Sequence, residues 1–259
     1  RYYGKHHWWQ ASSTHHLYQN TGHGKFRDIT EQAGLAMTSW GMGCATGDFD
    51  NDGHEDLFVT NIGGNALYRN QGDGTFTDKS ASLPRSTLWS TSAAVGDYDQ
   101  DGRLDIYVVN YLRYEKSART FENHGGFALS DARGFEPALY DGSANQLLHN
   151  DGNWRFSNHA VELGVDDASG RGLSAVWFDL HQDGDLDLFV SNDVGSPDKL
   201  FVQEQPGRFR DVSTTFGLAH ANASSGITVG DVDNDGDIDL VVGGIRGELP
   251  RLLINGTSP

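Results

Sequence analysis

Four copies of an acidic, glycine-bearing sequence constrain this chain more than any other feature. They occupy residues 48–56, 97–105, 179–187 and 231–239, and each follows D-x-D-x-D-G-x-x-D with at most one departure. Surface turns are also rich in Asp and Gly. Four copies in the same local context nevertheless favour a common purpose, because aspartates clustered this tightly repel one another unless a cation lies between them.

The spacing of these carboxylates suits a hard cation. Ca²⁺ prefers about six to eight oxygen ligands, and alternate positions of a sharply bent loop can supply them. By analogy with the EF-hand loop, positions 1, 3 and 5 give side-chain oxygens, position 7 a backbone carbonyl and position 9 a closing carboxylate. Glycine at position 6 can adopt the positive φ that the bend requires. The sequence therefore predicts bound Ca²⁺.

Short apolar stretches recur around each acidic loop and predict β-strands. We name the stretch before each loop strand A and the stretch after it strand B; strands C and D follow, separated in the first three repeats by a Gly-bearing turn. Strand A is expected at 43–47, 93–96, 173–178 and 226–230, and strand B at 57–61, 106–110, 188–192 and 240–244. Strand C is expected at 66–70, 146–150, 199–203 and 251–255, and strand D around Phe76, Phe156 and Phe209.

Four short strands in each repeat of roughly 50 residues are typical of a β-propeller blade. The predicted fold is all-β, with four-stranded antiparallel blades: four near-complete blades and a half, since a C–D pair already stands at 17–29. An EF-hand domain is the alternative, but no helical periodicity flanks the loops. The expected repeat units are 15–61, 65–110, 145–192 and 198–245, with another starting at 250–255, after a His- and Trp-rich lead-in at 1–14.

Strand direction predicts two faces with different tasks. If the acidic loops join A to B on one face, the B–C and D–A connections lie on the opposite face. An insertion at 111–145 falls in one of those B–C connections, and a long loop in an economical repeat is usually functional or disordered. Because binding residues concentrate in loops held by a rigid frame, we expect ligand binding on the face opposite the acidic loops.

Composition excludes some partners. The 259 residues carry a formal charge of −17, which argues against nucleic acid and against anionic membrane surfaces. Cys44 is the only cysteine, so no internal disulfide can form; its apolar neighbours predict a small core residue. No apolar run approaches the ~20 residues of a membrane helix. Low-affinity Ca²⁺ sites suit the calcium concentration outside cells, so we expect an extracellular, cell-surface or periplasmic protein.

The repeated phrases resemble the FG-GAP/VCBS repeat, the calcium-binding blade of integrin α-subunit propellers. The segments 47–53 and 67–78 are similar to those of proteins related to cartilage acidic protein, which often carry an ASPIC/UnbV module after the propeller. Residues 34–35, 40–43 and 217–218 also fit that group. The resemblance spans roughly 15–255. It implies a seven-bladed ring, of which this chain would form an arc; a smaller ring that closes through its own ends is the alternative. The resemblance implies no common activity.

The resemblance also implies a set of calcium ligands. In the first, second and fourth loops they fall on Asp48, Asp50, Asp52, the His54 carbonyl and Asp56; Asp97, Asp99, Asp101, the Arg103 carbonyl and Asp105; and Asp231, Asp233, Asp235, the Asp237 carbonyl and Asp239. The third loop offers Asp179, Asp183, the Asp185 carbonyl and Asp187. There His181 replaces a carboxylate, and imidazole is a poor Ca²⁺ ligand. We expect three to four ions, with the third loop the weakest or without one.

Two other constellations carry weaker signals. Imidazoles bind Cu, Zn or Ni, so a transition-metal site is the sharper interpretation of the histidines near the start, at positions 6, 7, 15, 16 and 23; an ordered or frayed lead-in is the plainer one. No metalloprotease, nucleophile-elbow or phosphate-loop motif is present. Acidic residues of the insertion could include an acid/base pair, although such charges are more often solvated; they are Glu115, Glu122, Asp131 and Glu136.

Three functions compete. The favoured one is a non-enzymatic, calcium-stabilised, exported propeller that binds a protein or glycan, or other subunits of an assembly. The second is a carbohydrate-active enzyme of lyase or dehydratase type, with its site opposite the calcium loops; paired carboxylates or histidines in a cleft there would support it. The third is a metal- or electron-transfer-associated subunit that uses the His-rich start.

Overall fold

The computed structural model describes residues 15–113, 137, 140–218 and 223–256. Within these ranges the chain is almost entirely β, with every strand pairing antiparallel to its neighbour. The strands form one two-stranded, three four-stranded and one three-stranded sheet. The architecture is that of consecutive β-propeller blades, as the repeat predicts.

The strands follow the predicted order A, B, C, D within each sheet. The opening hairpin is β1 (Tyr18–Gly22) and β2 (Lys25–Asp28). Blade 1 is β3 (Gly41–Gly47), β4 (Asp56–Asn61), β5 (Ala66–Asn70) and β6 (Phe76–Asp78). Blade 2 is β7 (Ser90–Gly96), β8 (Asp105–Asn110), β9 (Gln146–Gly152) and β10 (Arg155–Asn158). Blade 3 is β11 (Gly172–Phe178), β12 (Asp187–Asn192), β13 (Lys199–Gln205) and β14 (Arg208–Asp211). Blade 4 is β15 (Ser224–Gly230), β16 (Asp239–Gly244) and β17 (Arg251–Leu253).

The A strands pack side by side in the order β3, β7, β11, β15. They are rich in Gly, Ala and Ser because neighbouring backbones approach closely there: a Cβ on Gly43 would lie 2.9 Å from the Thr91 carbonyl oxygen. The B strands lie second in each sheet and are buried on both faces, and β8 and β12 are buried along their whole length. Their central residues are therefore apolar in succession instead of alternating, between a buried Asp at the start and, in β4, β8 and β12, a buried Asn at the end.

The hydrophobic core consists of layers between successive blades. Phe58 and Leu67 of blade 1 pack with Ile106 of blade 2, in a layer that also contains Phe49. The next layer joins blades 2 and 3 around Tyr107, and a third joins blades 3 and 4 through residues such as Phe189 and Val242. Ala33 and Leu35, in the connection after β2, pack on blade 1, so the face of that blade away from blade 2 is partly covered as well.

Cys44 corrects one sequence-based expectation. It was predicted to be a core residue, but its side chain is exposed on β3. Alternate residues of a strand face opposite sides of its sheet. Gly43 faces β7, whereas Met42, Cys44 and Thr46 lie on the side away from blade 2, and all three are exposed. The apolar run was real, but its outer side has no cover in the described ranges.

Several predicted features fall outside the described residues. These are the early histidines His6 and His7 and the four acidic residues of the insertion, Glu115, Glu122, Asp131 and Glu136. In the part of the chain that is described, no helix is long and apolar enough to cross a membrane.

Candidate metal centres

The four acidic loops share one backbone design. In the first loop the Asp48 carboxylate accepts hydrogen bonds from the amides of Asp52 at 3.0 Å and Gly53 at 2.7 Å. The same two bonds recur at the first position of the other loops. Gly53 has φ +89° and its three counterparts +85° to +95°, which only glycine adopts without strain. The hydrogen bonds and the glycine are therefore sufficient to bend the loop.

Carboxylates at positions 1, 3 and 9 converge in three of the four loops. One ligand oxygen from each residue lies within 4.8 Å of the others in the trios Asp48–Asp50–Asp56, Asp97–Asp99–Asp105 and Asp231–Asp233–Asp239. Hard cations prefer such oxygen clusters. These nine aspartates are predicted site residues that the structure brings together, and Asp101, another of them, lies close to Asp99 in a group with His149.

The carboxylate at position 9 is the buried member of each trio. Asp56 and Asp105 are fully buried, and Asp239 is 1% exposed. In every loop this carboxylate accepts one amide from position 2 and one from the end of strand C, at 2.8–3.4 Å. These two hydrogen bonds join the acidic loop to the sheet and hold the position-9 carboxylate in place.

Burial and neighbouring acids disfavour the charged form of these carboxylates. Burial, with the charges of Asp50 and Asp52 added, raises the pKa of Asp56 to about 6. Burial likewise raises the pKa of Asp105 to about 7, with Asp99 contributing. One oxygen of Asp50, Oδ1, is also buried and has no hydrogen-bond partner. An orphaned carboxylate oxygen beside a buried carboxylate fits a bound cation.

Position 5 does not join the trios. Asp52 instead contacts Arg69 of strand C, whose Nη2 lies 2.8 Å from Asp52 Oδ2 and whose Nε lies 2.8 Å from Asp50 Oδ2. In the second loop Asp101 pairs with Arg103 and lies 3.6 Å from His149 Nε2. Basic side chains from the loop or from strand C thus share these carboxylates. The carbonyl ligands at position 7, in His54, Arg103, Asp185 and Asp237, stay a prediction, as does Asp235 at position 5 of the fourth loop.

The third loop differs where its sequence departs. In the described chain Asp179, Asp183 and Asp187 form no trio of the kind seen in the other loops. His181 occupies position 3, and its Nδ1 lies 3.6 Å from Asp187 Oδ2. The backbone bonds of the loop are retained. The imidazole therefore replaces an oxygen ligand without changing the fold of the loop.

Side-chain amides at position 4 link each loop to the next blade. Asn51 donates to the Gly102 carbonyl at 2.9 Å, Gln100 to the Gly184 carbonyl at 3.0 Å, and Gln182 to the Gly236 carbonyl at 2.6 Å. The position-4 residues all have positive φ, which aims the side chain across the blade junction. Sequence reasoning missed this ladder, although an amide at position 4 of every copy was a visible signal.

A second bond crosses each blade junction beneath the ladder. The side chains of Asn150, Gln203 and Asn255, at the end of strand C, donate to the position-2 carbonyls of Phe49, Tyr98 and Leu180 in the preceding blade, at 2.8–2.9 Å. These carboxamides are largely buried, so their loss would leave unpaired polar groups. The acidic loops are consequently parts of one bonded series.

The buried carboxylates predict an inverted pH response when metal is absent. A carboxyl whose pKa is raised on folding binds more protons in the folded than in the unfolded state, so stability falls as pH rises. For Asp56 and Asp105, the pKa rises from an ordinary value of 3.8 to about 6 and about 7, so the loss falls between about pH 4 and pH 7. We expect a smaller decrease in melting temperature over this window for chelated Asp105→Asn than for chelated wild type, because asparagine does not titrate. Equal slopes would contradict the raised pKa.

The opposite face carries a groove between blades 2 and 3. Its volume is about 430 Å³, and B–C and D–A connections line it, as strand direction predicts. Arg113, Arg171 and Lys199 contribute positive charge, and Asp141 and Asp167 contribute carboxylates. The chain has only 19 Lys and Arg residues in all, so three around one groove is a local concentration.

Asp167 is the unusual residue of this groove. Its φ is +39°, a conformation that costs energy outside glycine and is often found at functional sites. Burial raises the pKa of its carboxyl, which accepts a hydrogen bond from Asn192 at 2.9 Å. Oδ1 of Asn192 is buried and has no hydrogen-bond partner. This pair could not be recognised in the sequence, because Asp167 and Asn192 are distant in the chain and meet only through the D–A connection.

Comparisons with known proteins show which family the chain belongs to. Cartilage acidic protein 1 of Mus musculus is 30% identical to this chain over 99 residues, covering 37% of the chain and 15% of that protein. The chain thus spans a small part of that relative. A solved structure described as an Agrocybe aegerita lectin that recognises non-reducing terminal N-acetylglucosamine is 16% identical, with coverage of 90% and 69% and a TM-score of 0.34; this similarity carries no argument about function. The model of the FG-GAP-like repeat matches residues 8–59, 48–108 and 179–242. Since these matches cover more than half of the chain, it belongs to the FG-GAP-like repeat family.

Proposed function

We propose that this propeller is an exported, calcium-stabilised binding module whose ligand site lies on the face opposite the acidic loops. The observation that carries the calcium part is the convergence of three carboxylates, one of them buried, in three loops. Calcium would be structural: it neutralises each trio and closes the A–B connection. Export is part of the proposal, because loops built from exposed carboxylates suit the millimolar calcium outside cells.

Calcium titration tests the proposal directly. Isothermal titration calorimetry of chelator-treated protein is expected to give three equivalents, from the loops beginning at Asp48, Asp97 and Asp231. A stoichiometry of zero would refute the calcium part. Binding first in the loop that begins at Asp179 would refute its ranking as the weakest.

Replacing one histidine is expected to create a fourth site. His181→Asp restores the missing carboxylate at position 3 of a loop whose backbone bonds are already formed. The calcium stoichiometry should therefore rise from three to four. His23→Ala is the matched control, since His23 is an exposed histidine in the turn of the first hairpin. An unchanged stoichiometry in His181→Asp would show that something other than the missing oxygen disables this loop.

The groove between blades 2 and 3 supports a glycan with carboxylate groups as the ligand. Polar groups such as Ser169 and Ser196 line it and suit sugar hydroxyls, and Arg113 can face a carboxylate. Lys199 is already paired with Asp211 at 2.8 Å. Fixed arginine donors match carboxylates well. An acidic partner also needs a surface less negative than the overall charge of −17 implies, and the three cations of this groove offset its two carboxylates.

Binding to arrayed oligosaccharides tests this part. Uronic-acid oligosaccharides should bind, and their neutral counterparts should not. Arg113→Ala should weaken binding by roughly tenfold, as expected for one lost charge-assisted hydrogen bond. Arg208→Ala, an exposed arginine of β14 away from the groove, should leave it unchanged. Retained binding in Arg113→Ala would move the site elsewhere, and capture of an acidic protein but no glycan would favour a protein ligand.

Asp167 supports a carbohydrate-active enzyme as the second candidate. A carboxyl with a raised pKa in a groove can act as a general acid, and Asp141 lies in the same groove. Slow cleavage of the bound oligosaccharide, abolished in Asp167→Asn with binding retained, would establish this function. Binding without turnover in wild type would leave Asp167 as the residue that positions Asn192.

A further inference from the structure

Two histidines and an aspartate meet on the C–D hairpin of blade 2, beside the second acidic loop. His149 and Asp151 lie on β9, and His159 follows β10 directly. One potential ligand atom from each lies within 4.8 Å of the others. His149 is paired with Ser157 across the hairpin, and alternate strand residues share a face. The antiparallel pairing therefore places all three metal-ligating side chains on one side of the sheet.

His149 lies between two carboxylates. Its Nδ1 is 2.9 Å from Asp151 Oδ1, and its Nε2 is 3.1 Å from Asp99 Oδ2. A neutral imidazole has one N–H, so it can donate to only one of them. If the N–H faces Asp99, the Nδ1 lone pair faces the Asp151 carboxylate. The protonated ring has an N–H at each nitrogen and can donate to both carboxylates. A metal ion bound between His149 Nδ1 and Asp151 would take the place of the proton there.

His159 is held in a similar way. Its Nδ1 lies 3.4 Å from the Tyr98 hydroxyl, and its Nε2 lies 3.0 Å from Ser157 Oγ, which in turn is 3.0 Å from Asp151 Oδ1. Metal-ligating histidines almost always use the second ring nitrogen to contact a fixed polar group. Asp99 has that position for His149, and Tyr98 has it for His159.

We propose that His149 Nδ1, a carboxylate oxygen of Asp151 and His159 Nε2 form a site for a divalent transition metal, with Zn²⁺ as the ion that fits best. Two imidazoles and one carboxylate are a ligand set that Zn²⁺ uses, with water completing the tetrahedron. Ca²⁺ prefers oxygen and competes poorly for imidazole. The rings now stack in parallel at 4.9 Å, so binding turns one ring about its Cβ–Cγ bond to direct its lone pair at the ion.

This ligand set occurs only in blade 2 among the described blades. The strand pairing places Arg69 of blade 1 and Val202 of blade 3 at the position of His149. Lys79 and Val212 take the position of His159 in those blades. Imidazole at both positions is therefore specific to this hairpin. Blade 3 has valine at both positions, so the fold accommodates valine in place of each histidine.

Zinc titration of the full chain in saturating calcium tests the site. Wild type is expected to bind one equivalent of Zn²⁺. In His159→Val and in His149→Val the Kd for Zn²⁺ should be weaker by more than about 100-fold, because each variant removes a ligand and changes to outer-shell residues typically cost up to roughly 100-fold. The early histidines are present in both proteins, so the difference reports this site alone. Tyr98→Phe, which keeps the ring but removes the hydroxyl that positions His159, should weaken Zn²⁺ by about 10–100-fold.

Near-ultraviolet circular dichroism of the same samples shows whether each variant is folded, whatever the outcome for calcium, and so separates this proposal from the calcium proposal. Co²⁺ in place of Zn²⁺ should give visible absorption bands of a four-coordinate site in wild type, and Asp151→Asn should alter them. Identical Zn²⁺ stoichiometry and Kd in wild type, His149→Val and His159→Val would overturn the proposal. So would an absence of Zn²⁺ binding in wild type, which would leave His149 as a charged bridge between Asp99 and Asp151.

Discussion

Chelation of calcium is expected to lower the melting temperature by roughly 5–10 °C for each loop that holds an ion. A ligand that binds only the folded state at about 100 times its Kd adds about 2.7 kcal/mol of stability, and about 1 kcal/mol shifts the midpoint of a chain of this size by about 2–4 °C. In the first, second and fourth loops, the trio brings a buried carboxylate close to two other aspartates. Loss of calcium leaves these negative charges to repel one another.

Differential scanning fluorimetry at 2 mM calcium and in excess EGTA would measure the shift. Addition of calcium beyond the chelator should restore the original midpoint, which excludes damage to the protein. Magnesium at the same concentration is the control for ionic strength, because Mg²⁺ demands a tighter octahedral arrangement and retains its water. Equal midpoints in calcium and EGTA, from protein shown to have released its metal, would end the structural role of calcium.

The second large effect is expected from Asp105→Asn compared with Asp187→Asn. Both aspartates sit at position 9, both are buried, and each accepts two backbone amides. Asparagine offers one acceptor oxygen, so each variant leaves one buried N–H unpaired at a cost of about 1–3 kcal/mol. Asp105 also belongs to a converging trio, whereas the third loop lacks one.

In calcium, Asp105→Asn should therefore lose about 4–6 kcal/mol of unfolding free energy, the hydrogen-bond cost plus one calcium-linked contribution. Asp187→Asn should lose about 1–3 kcal/mol. In EGTA the two losses of unfolding free energy should agree to within about 1 kcal/mol, because only the different neighbours of the two side chains then distinguish the variants. Chemical denaturation in both conditions provides the measurement. A larger calcium-dependent loss in Asp187→Asn would assign the ion to the third loop.

The local features of the fold could be predicted from the sequence. Strand B starts where the acidic loop ends, and the structure extends it by one residue to include the position-9 aspartate, since that residue is already hydrogen-bonded to strand C. Likewise, the choice of face for the B–C and D–A connections follows from strand direction alone. Short-range pattern and antiparallel geometry decide both.

Contacts between side chains of different strands and connections could not be predicted in the same way. The ion pair between Asp52 and Arg69 of strand C is visible only in the folded blade. Cys44 has a core-like neighbourhood in sequence, yet the cover of its strand is on one side only. Asp167 and Asn192 meet across a D–A connection. In each case the deciding neighbour comes from a different repeat element, whose position no local pattern encodes.

The amide ladder has a consequence for how such a chain can grow. Each blade brings its own donor at position 4, such as Gln100, and its own acceptor at the glycine carbonyl of position 6, such as Gly184. Any copy can therefore join any other without new residues at the seam. A gene segment that encodes one blade could be duplicated or deleted in a single event, and the junctions on both sides would already be compatible. Blade number can then change during evolution without a period of mismatched interfaces.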